Sequence, residues 1–393
     1  MDPDEVRDLF HRTYSRAPEL IARGPGRVNL LGEHVDYNGG LALPCAIDRQ
    51  ALLAAVPRDD RVVALRAIDL DATCAFHLDN LDARVDLSGH ELPNWARYPA
   101  GVAWSLEADG FHLRGFDGLL GSDVPIGAGL SSSAAVETCL ATAWLALAGG
   151  DLPDLDLARS CRRAENEYVG VASGLMDQWA SISGHAGQAL LLDFTSLSAE
   201  PVPLPAACAI VIADSGERRT LGQSAYNQRV RECRQAELLL RERIPGLSGL
   251  GTLDPAEFAD HESALPDRLR RRARHVVSEV ERVRQAAEAL RHGDPARFGE
   301  LMSAGHASLR DDFEVSTPGL DLLVDLARQL PGCYGARLTG AGFGGCTVNW
   351  VEGEAAGKFA VDLVNAYESR SGRKSRAWVC RSADGAGIVS PPP

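Results

Sequence analysis

Apolar and polar positions along this chain fall into runs of two periods, and together they predict helices and strands alternating from end to end. Residues 4–14 read as a polar helix stopped by a break at Pro18, and a strand starts at Leu20-Ile21-Ala22. Residues 41–57 are apolar and bounded by turns, which predicts strands, and residues 61–78 carry two β-rich runs around Ala67-Ile68-Asp69. Residues 95–108 predict a helix with Val102, Ala103 and Leu106 on its apolar side. A short apolar run at 116–120 precedes a glycine–serine turn. An alanine-rich helix at 134–147 follows and ends at Gly149-Gly150, as helices end at C-terminal glycines. Residues 154–169 predict another helix, residues 173–184 begin one more, and residues 190–194 read as a buried strand.

The proline-dotted run 201–205 reads as a connector, so two domains are expected, at 1–205 and 206–393. Beyond it come a β-branched strand at 208–213 and a helix at 226–243. Between 267 and 292, Val276, Val280, Val283, Ala287 and Leu290 step by four, three, four and three, the signature of one apolar helix face. The arginines of that helix resemble a nucleic-acid patch, but the interleaved Glu279, Glu281 and Glu288 predict a solvated face instead. Residues 320–330 predict a helix, and residues 332–351 a strand, a glycine loop and a strand. The Gly/Pro/Ser-rich tail 383–393 is expected to fray. No internal repeat is visible.

At 393 residues the chain is long enough for a sizeable core, and its formal charge of −14 argues against nucleic acid or an anionic membrane as partner. Nine cysteines are scattered without a C-x-x-C pair, which predicts reduced thiols and a cytoplasmic protein. No apolar leader and no run long enough for a membrane span is seen, so neither export nor membrane insertion is expected.

Four stretches place polar groups on glycine-bounded turns. In 121–140, GSDVPIGAGLSSSAAVETCL, Gly127 and Gly129 bracket a turn, Leu130 and Ser131, Ser132 and Ser133 follow, and a helix begins behind them. Glycine amides and the positive end of a helix dipole make an anion cradle, although the same residues can merely cap their own helix. A Walker A loop is excluded, because it needs Gly-Lys-Ser/Thr and the only lysines are Lys358 and Lys374. In 26–40, Arg27, Glu33, His34 and Asp36 crowd beside an apolar strand, a donor and acceptor set that suits a polyhydroxylated ligand or else an ordinary ion-paired turn. In 173–178, Asp177 stands twelve residues after Glu165, so one acid can hold a divalent metal and the other act as general base; otherwise both are helix-surface carboxylates. Finally Gly340, Gly342, Gly344 and Gly345 lie within six residues between strands, through close backbone approach to a ligand or through a tight bulged turn.

Taken in order, GRVNLLGEHVDYNGG, VPIGAGLSSSAAVE, SGLMDQWAS and LTGAGFGGC resemble the GHMP small-molecule kinases, and within them the galactokinase pattern. Further matches are LPCAIDR at 43–49, SAYNQRVRECRQA at 224–236, RARHVVSEVERV at 272–283 and HASLRDDFEVS at 306–316, so the resemblance spans about 18–350. It implies a two-domain α/β (α+β) fold, with a ribosomal-S5-domain-2-like N-terminal domain, a ferredoxin-like C-terminal domain and the active site in the cleft. It further implies that Glu33, His34, Asp36, Gly174, Asp177 and Tyr226 touch a sugar, with Asp36 reading the C3 and C4 hydroxyls. The loop 127–133 would wrap the phosphates of ATP, and Ser132 and Glu165 would hold Mg²⁺. Asp177 would accept the C1 hydroxyl proton beside Arg27, which would offset charge on the γ-phosphoryl group.

The implied reaction is ATP-dependent phosphorylation of α-D-galactose at O1, by a monomer with no nucleic-acid or membrane partner. L-Arabinose, N-acetylgalactosamine and galacturonate are the alternative sugars. A non-catalytic galactose/ATP sensor is the alternative of another class, although such sensors damage the serine–alanine part of the cradle, and 131–135 is intact here. Three departures stand out. Val35 replaces the commoner threonine, Arg219 stands where histidine is frequent, and 316–321 differs from a Cys-Pro-Glu-Leu-like run. None removes an expected catalytic group, and Arg219 can alter sugar preference if it faces the cleft.

Overall fold

A computed structural model describes residues 1–171, 173–218 and 222–389; Arg219 lies outside the described residues. Helix α1 (Pro3–Tyr14), capped by the Asp2 side chain, leads to strand β1 (Leu20–Asn29), β2 (Leu41–Ala42) and the long β3 (Pro44–Arg58). Then come β4 (Val62–Ala67), β5 (Ala72–His77), α2 (Arg97–Ala108), β6 (Gly115–Ser122) and α3 (Ser132–Ala148). The expected helix at 154–169 is α4 (Asp154–Arg163) running directly into a π-helical turn, Ala164–Val169. Helix α5 (Met176–Ile182) precedes the hairpin β7 (Gln188–Asp193) and β8 (Ser198–Pro203).

The second half holds β9 (Cys208–Asp214), α6 (Gly222–Arg241), α7 (Pro255–His261), α8 (Asp267–Arg291), α9 (Pro295–Asp311) and α10 (Pro318–Ala327). It continues through β10 (Cys333–Thr339), β11 (Cys346–Glu352), α11 (Ala356–Ser371) and β12 (Arg376–Cys380) to the two-residue β13 (Gly387–Ile388).

Three sheets organise these elements, in the orders β13-β1-β3-β6-β4-β5, β10-β11-β9-β12 and β2-β7-β8. The first is antiparallel except where β4 runs parallel to β6. The second is fully antiparallel and has the strand order of a ferredoxin-like unit. One large core joins the first sheet, α2, α3 and the inner faces of α6, α8 and α9, and a second core packs α10 and α11 on the four-stranded sheet. Among the described residues, no helix is long and apolar enough to cross a membrane.

Three local expectations are corrected. The proline run 201–205 is no simple connector: β8 is an edge strand paired to β7, with Pro201 opposite Leu190 and Pro203 opposite Gln188. An edge tolerates proline because one row of its N–H groups has no ladder partner, and Val202 between the prolines is fully buried. The tail does not fray throughout, since Ile388 and Gly387 pair with Ala22 and Arg23 of β1. The third correction concerns α8, whose glutamates were expected to face solvent. Glu279 is completely buried, ion-paired to Arg337 and Arg282.

Candidate active site

Strand β1 carries Arg27 into a cleft of about 430 Å³ between the two halves of the chain. Arg27 donates through Nε and Nη2 to Asp177 Oδ1 at 3.0 and 2.6 Å, and through Nη1 to the carbonyl of Gly129 at 2.7 Å. The other oxygen of Asp177 accepts the Ser131 hydroxyl at 2.5 Å. Asp177 sits in the first turn of α5, so a rigid strand, the glycine–serine loop and a helix start are joined at one carboxylate.

The loop itself is built for backbone exposure. Gly127 and Gly129 take φ values of 77° and 79°, and Ser131 takes 56° just before α3 begins. Left-handed backbone at glycine carries no Cβ penalty, and it turns the amides outward ahead of the helix N-terminus. The loop ends at α3, a helix of 17 residues, so its dipole acts on whatever the amides hold.

On the opposite wall, His34 also adopts left-handed backbone at 62°. Its ring bonds to Tyr37 Oη at 2.8 Å and to the carbonyl of Ala341 at 3.1 Å, which ties the 30–36 loop to the second glycine loop. Burial, reinforced by neighbouring Asp177, pushes the Asp36 carboxyl up to about 6. Gly174 lies so close to Asp36 that a Cβ there would fall 1.7 Å from Oδ2, which explains why no side chain stands at that position. Glu33 is buried, with its carboxylate on Arg337 and on the amide of Gly340; burial pushes it up to about 7 against the pull of Arg337. Burial likewise raises Glu165, which lies in the π-helical turn and accepts the Ser173 hydroxyl at 2.5 Å and the Gln178 amide at 2.9 Å.

Arg27, Glu33, His34, Asp36, Gly127, Gly129, Leu130, Ser131, Ser132, Ser133, Glu165, Gly174, Asp177, Tyr226, Gly340 and Gly342 all line this one cleft. Gly344 and Gly345 do not. Gly345 exchanges backbone hydrogen bonds with Ser215 and Glu217, and a Cβ at Gly344 would meet the Glu217 carbonyl at 2.6 Å. Those two glycines therefore serve the close packing of chain on chain.

Sequence reasoning passed over several neighbours. Ser173 and Gln178 orient Glu165, and Gln178 also donates to the fully buried Glu137 at 2.9 Å. Arg218 brings its guanidinium beside Gly127 from the other half of the chain. Gln178 could have been found from its place one residue after Asp177. Nothing in the local sequence singles out Glu137 or Arg218.

The oxygen donors around Glu165 fit Mg²⁺, a hard cation that takes one or two protein oxygens and fills its shell with phosphate and water. Ser131, Ser132 and Ser133 line the same cleft as Glu165.

Comparison with known proteins agrees with this geometry. Residues 8–57 match the galactokinase galactose-binding signature, 97–185 the GHMP kinases N terminal domain and 286–369 the GHMP kinases C terminal domain. A galactokinase of Roseiflexus sp. (strain RS-1) is 46% identical over 99% of this chain and 98% of its own length. One of Chloroflexus aggregans is 43% identical, over 97% and 96%. Among solved structures, Lactococcus lactis galactokinase complexed with galactose superposes with a TM-score of 0.91 at 33% identity, covering 98% of this chain and 99% of that one. A mevalonate kinase shares the fold alone, with a TM-score of 0.63 at 21% identity over 93% of this chain and all of its own. With a two-domain GHMP fold, a cleft joining an amide-rich anion loop to a ring of acids, and this similarity along its whole length, the chain belongs to the galactokinase family.

Proposed function

We propose that this chain transfers the γ-phosphoryl group of ATP to O1 of α-D-galactose, giving galactose 1-phosphate and ADP. The observation that carries the reading is the Arg27–Asp177–Ser131 linkage, which couples the anion loop to the acid-lined wall across hydrogen bonds of 2.5–3.0 Å. The amides of 127–133 hold the phosphates, and Glu33, His34, Asp36 and Tyr226 bind the sugar against the floor at Gly174. The O1 oxygen attacks phosphorus, the bond from phosphorus to the β,γ-bridging oxygen breaks, and the hydroxyl proton passes to Asp177. Arg27 is already fixed beside that carboxylate, so it meets the charge growing on the equatorial oxygens without reorganising. Glu165 with Ser132 would hold Mg²⁺, which when bound offsets charge on the β- and γ-phosphates.

In the same reading the chain works as a cytoplasmic monomer. Nine free cysteines, seven of them buried, suit a reducing compartment. The units 1–205 and 206–393 form its two domains, and the second returns β13 to the first sheet. A coupled ADP-release assay over galactose, L-arabinose, N-acetylgalactosamine and galacturonate tests the substrate. Galactose should give the highest kcat/KM, and brisk arabinose turnover without galactose turnover would refute the assignment. Asp177→Asn should lower kcat by about 10²–10⁴-fold, the usual contribution of a positioned base, while galactose still binds.

A further inference from the structure

Behind the acid-lined wall, Arg337 of β10 is fully buried and shared by two glutamates from distant parts of the chain. Its guanidinium donates to Glu33, to Glu279 Oε1 at 3.0 Å, and to the carbonyls of Leu338 at 3.2 Å and Leu30 at 3.4 Å. Glu279 of α8 also accepts the amide of Gly32 at 3.0 Å and pairs with Arg282 at 2.7 Å. The loop that carries Glu33 and His34, helix α8 and strand β10 thus converge on one cation.

A buried ion pair is weak grounds for inferring stability, because desolving both partners costs about what their attraction returns, and apolar residues of similar volume often do as well. What such a pair does fix is geometry. One edge of Glu33 is held by Arg337 and the other by the Gly340 amide, and the same residue lines the cleft. We propose that Arg337 is a positioning residue for substrate binding: it sets the Glu33 carboxyl on the sugar wall, and the Glu279–Arg282 pair determines how much of its charge Glu33 receives. This rests on the reading of Glu33 as a sugar contact.

The charged and titratable groups facing Glu33 are few. Arg27 of β1 and Arg337 of β10 stabilise its anion, while Glu279 of α8 opposes it. His275 of α8 bonds to the Glu33 carbonyl at 3.2 Å, and burial pulls its ring down to about 4, so it is neutral in the working range. Opposite signs on the two sides of Arg337 make the arrangement testable. Glu279→Gln hands more of the guanidinium to Glu33 and should move the Glu33 titration to lower pH. Arg282→Gln leaves Glu279 competing harder for Arg337 and should move it to higher pH; Arg282 is partly exposed and safer to replace.

The experiment is the pH profile of kcat/KM for galactose in the full-length chain and both variants, alongside ¹³C-detected titration of Glu33 and a thermal melt. The expected result is midpoint shifts of opposite sign, with KM for ATP unchanged within about twofold. Arg337→Lys, which cannot reach both carboxylates, should raise KM for galactose by roughly tenfold or more, the scale of one charge-assisted hydrogen bond, with little change in kcat. A merely structural role would lower the melting temperature without moving the midpoints, and that outcome overturns the proposal. An unmodified chain inert toward galactose would instead remove the sugar reading on which it stands.

Discussion

Replacing Gly174 by alanine tests the sugar wall with a single methyl group. The added Cβ would lie 1.7 Å from Asp36 Oδ2 and 2.9 Å from its Cγ. Real Cβ contacts are not found below 3.0 Å, so carboxylate and loop must separate by at least 1.3 Å. Neither side yields easily. Asp36 opens a short 3₁₀ turn, Asp36–Asn38, whose Asn38 is buried and donates to the His34 carbonyl at 2.7 Å. Ser173, the neighbour of Gly174, is bonded to both Asn166 and Glu165. A misplacement of about 1 Å in a positioning group can cost on the order of 10²-fold in rate. We therefore expect kcat/KM for galactose to fall by roughly that factor. KM for ATP should hold within about twofold, because the amide loop lies on the other wall.

Overpacking of this kind costs about 1–3 kcal/mol, which a thermal melt reads as a drop of roughly 2–10 °C in a domain of this size. The assay is ADP release with galactose varied at saturating ATP, then the reverse. Gly357→Ala on α11 is the matched control, since a Cβ there meets nothing within 4 Å. A Gly174→Ala chain with unaltered KM and kcat for galactose would refute the placement of Asp36 on the sugar.

Two further perturbations probe the same cleft from other sides. Ser131→Ala removes the 2.5 Å hydrogen bond to Asp177 Oδ2 and should lower kcat by about tenfold or more, the scale of a bond to a charged acceptor; an unchanged kcat would sever the serine from the chemistry. Asp36 and Glu33 titrate at about 6 and about 7 in the folded chain, above about 4 for an unfolded carboxyl, so folding takes up protons between those values. Their contribution to stability is complete below pH ~4 and is lost as pH rises through 6 and then 7. The melting temperature of the substrate-free chain relative to Asp36→Asn should therefore decline across that interval, and a difference independent of pH would contradict the raised titration.

Much of this site is legible in the sequence because turns and anion loops are local. Gly127, Gly129 and the serines behind them declare a helix start, and every strand and α-helix from β1 to α5 begins within a few residues of where the sequence reading places it, whereas the 3₁₀ turns at Asp36–Asn38, Leu78–Ala83 and Asn94–Ala96 and the π turn have no counterpart in it. Spacing fails where burial depends on a distant segment. The step of apolar residues along α8 is correct, yet it cannot tell that Glu279, one residue before Val280, lies under Gly32 and Arg337 rather than in water. The same limit hides β13, since two residues in a Gly/Pro-rich tail carry no periodicity and acquire their strand geometry only from the exposed edge of β1. Helices α9 and α11 have no counterpart in the sequence reading, although α11 ends on the left-handed C-cap glycine Gly372.

How a chain of net charge −14 with two lysines can receive a polyphosphate follows from the way each acid in the cleft is offset. Asp177 shares its charge with Arg27 and Ser131, and Glu33 shares its charge with Arg337 and an amide. Burial raises the carboxyls of Asp36 and Glu165, and Glu165 is offset in turn by the Ser173 hydroxyl and the Gln178 amide. The anion side needs no lysine because amides and a helix dipole, which do not titrate and reach only a few ångströms, act there beside the guanidiniums of Arg27 and Arg218. Short-range attraction on one wall and locally compensated acids on the other let phosphate and hydroxyl approach within one cleft while the surface stays acidic. If that division holds, adding salt should weaken ATP binding far less than a lysine-lined site would predict, since little of the attraction is long-range.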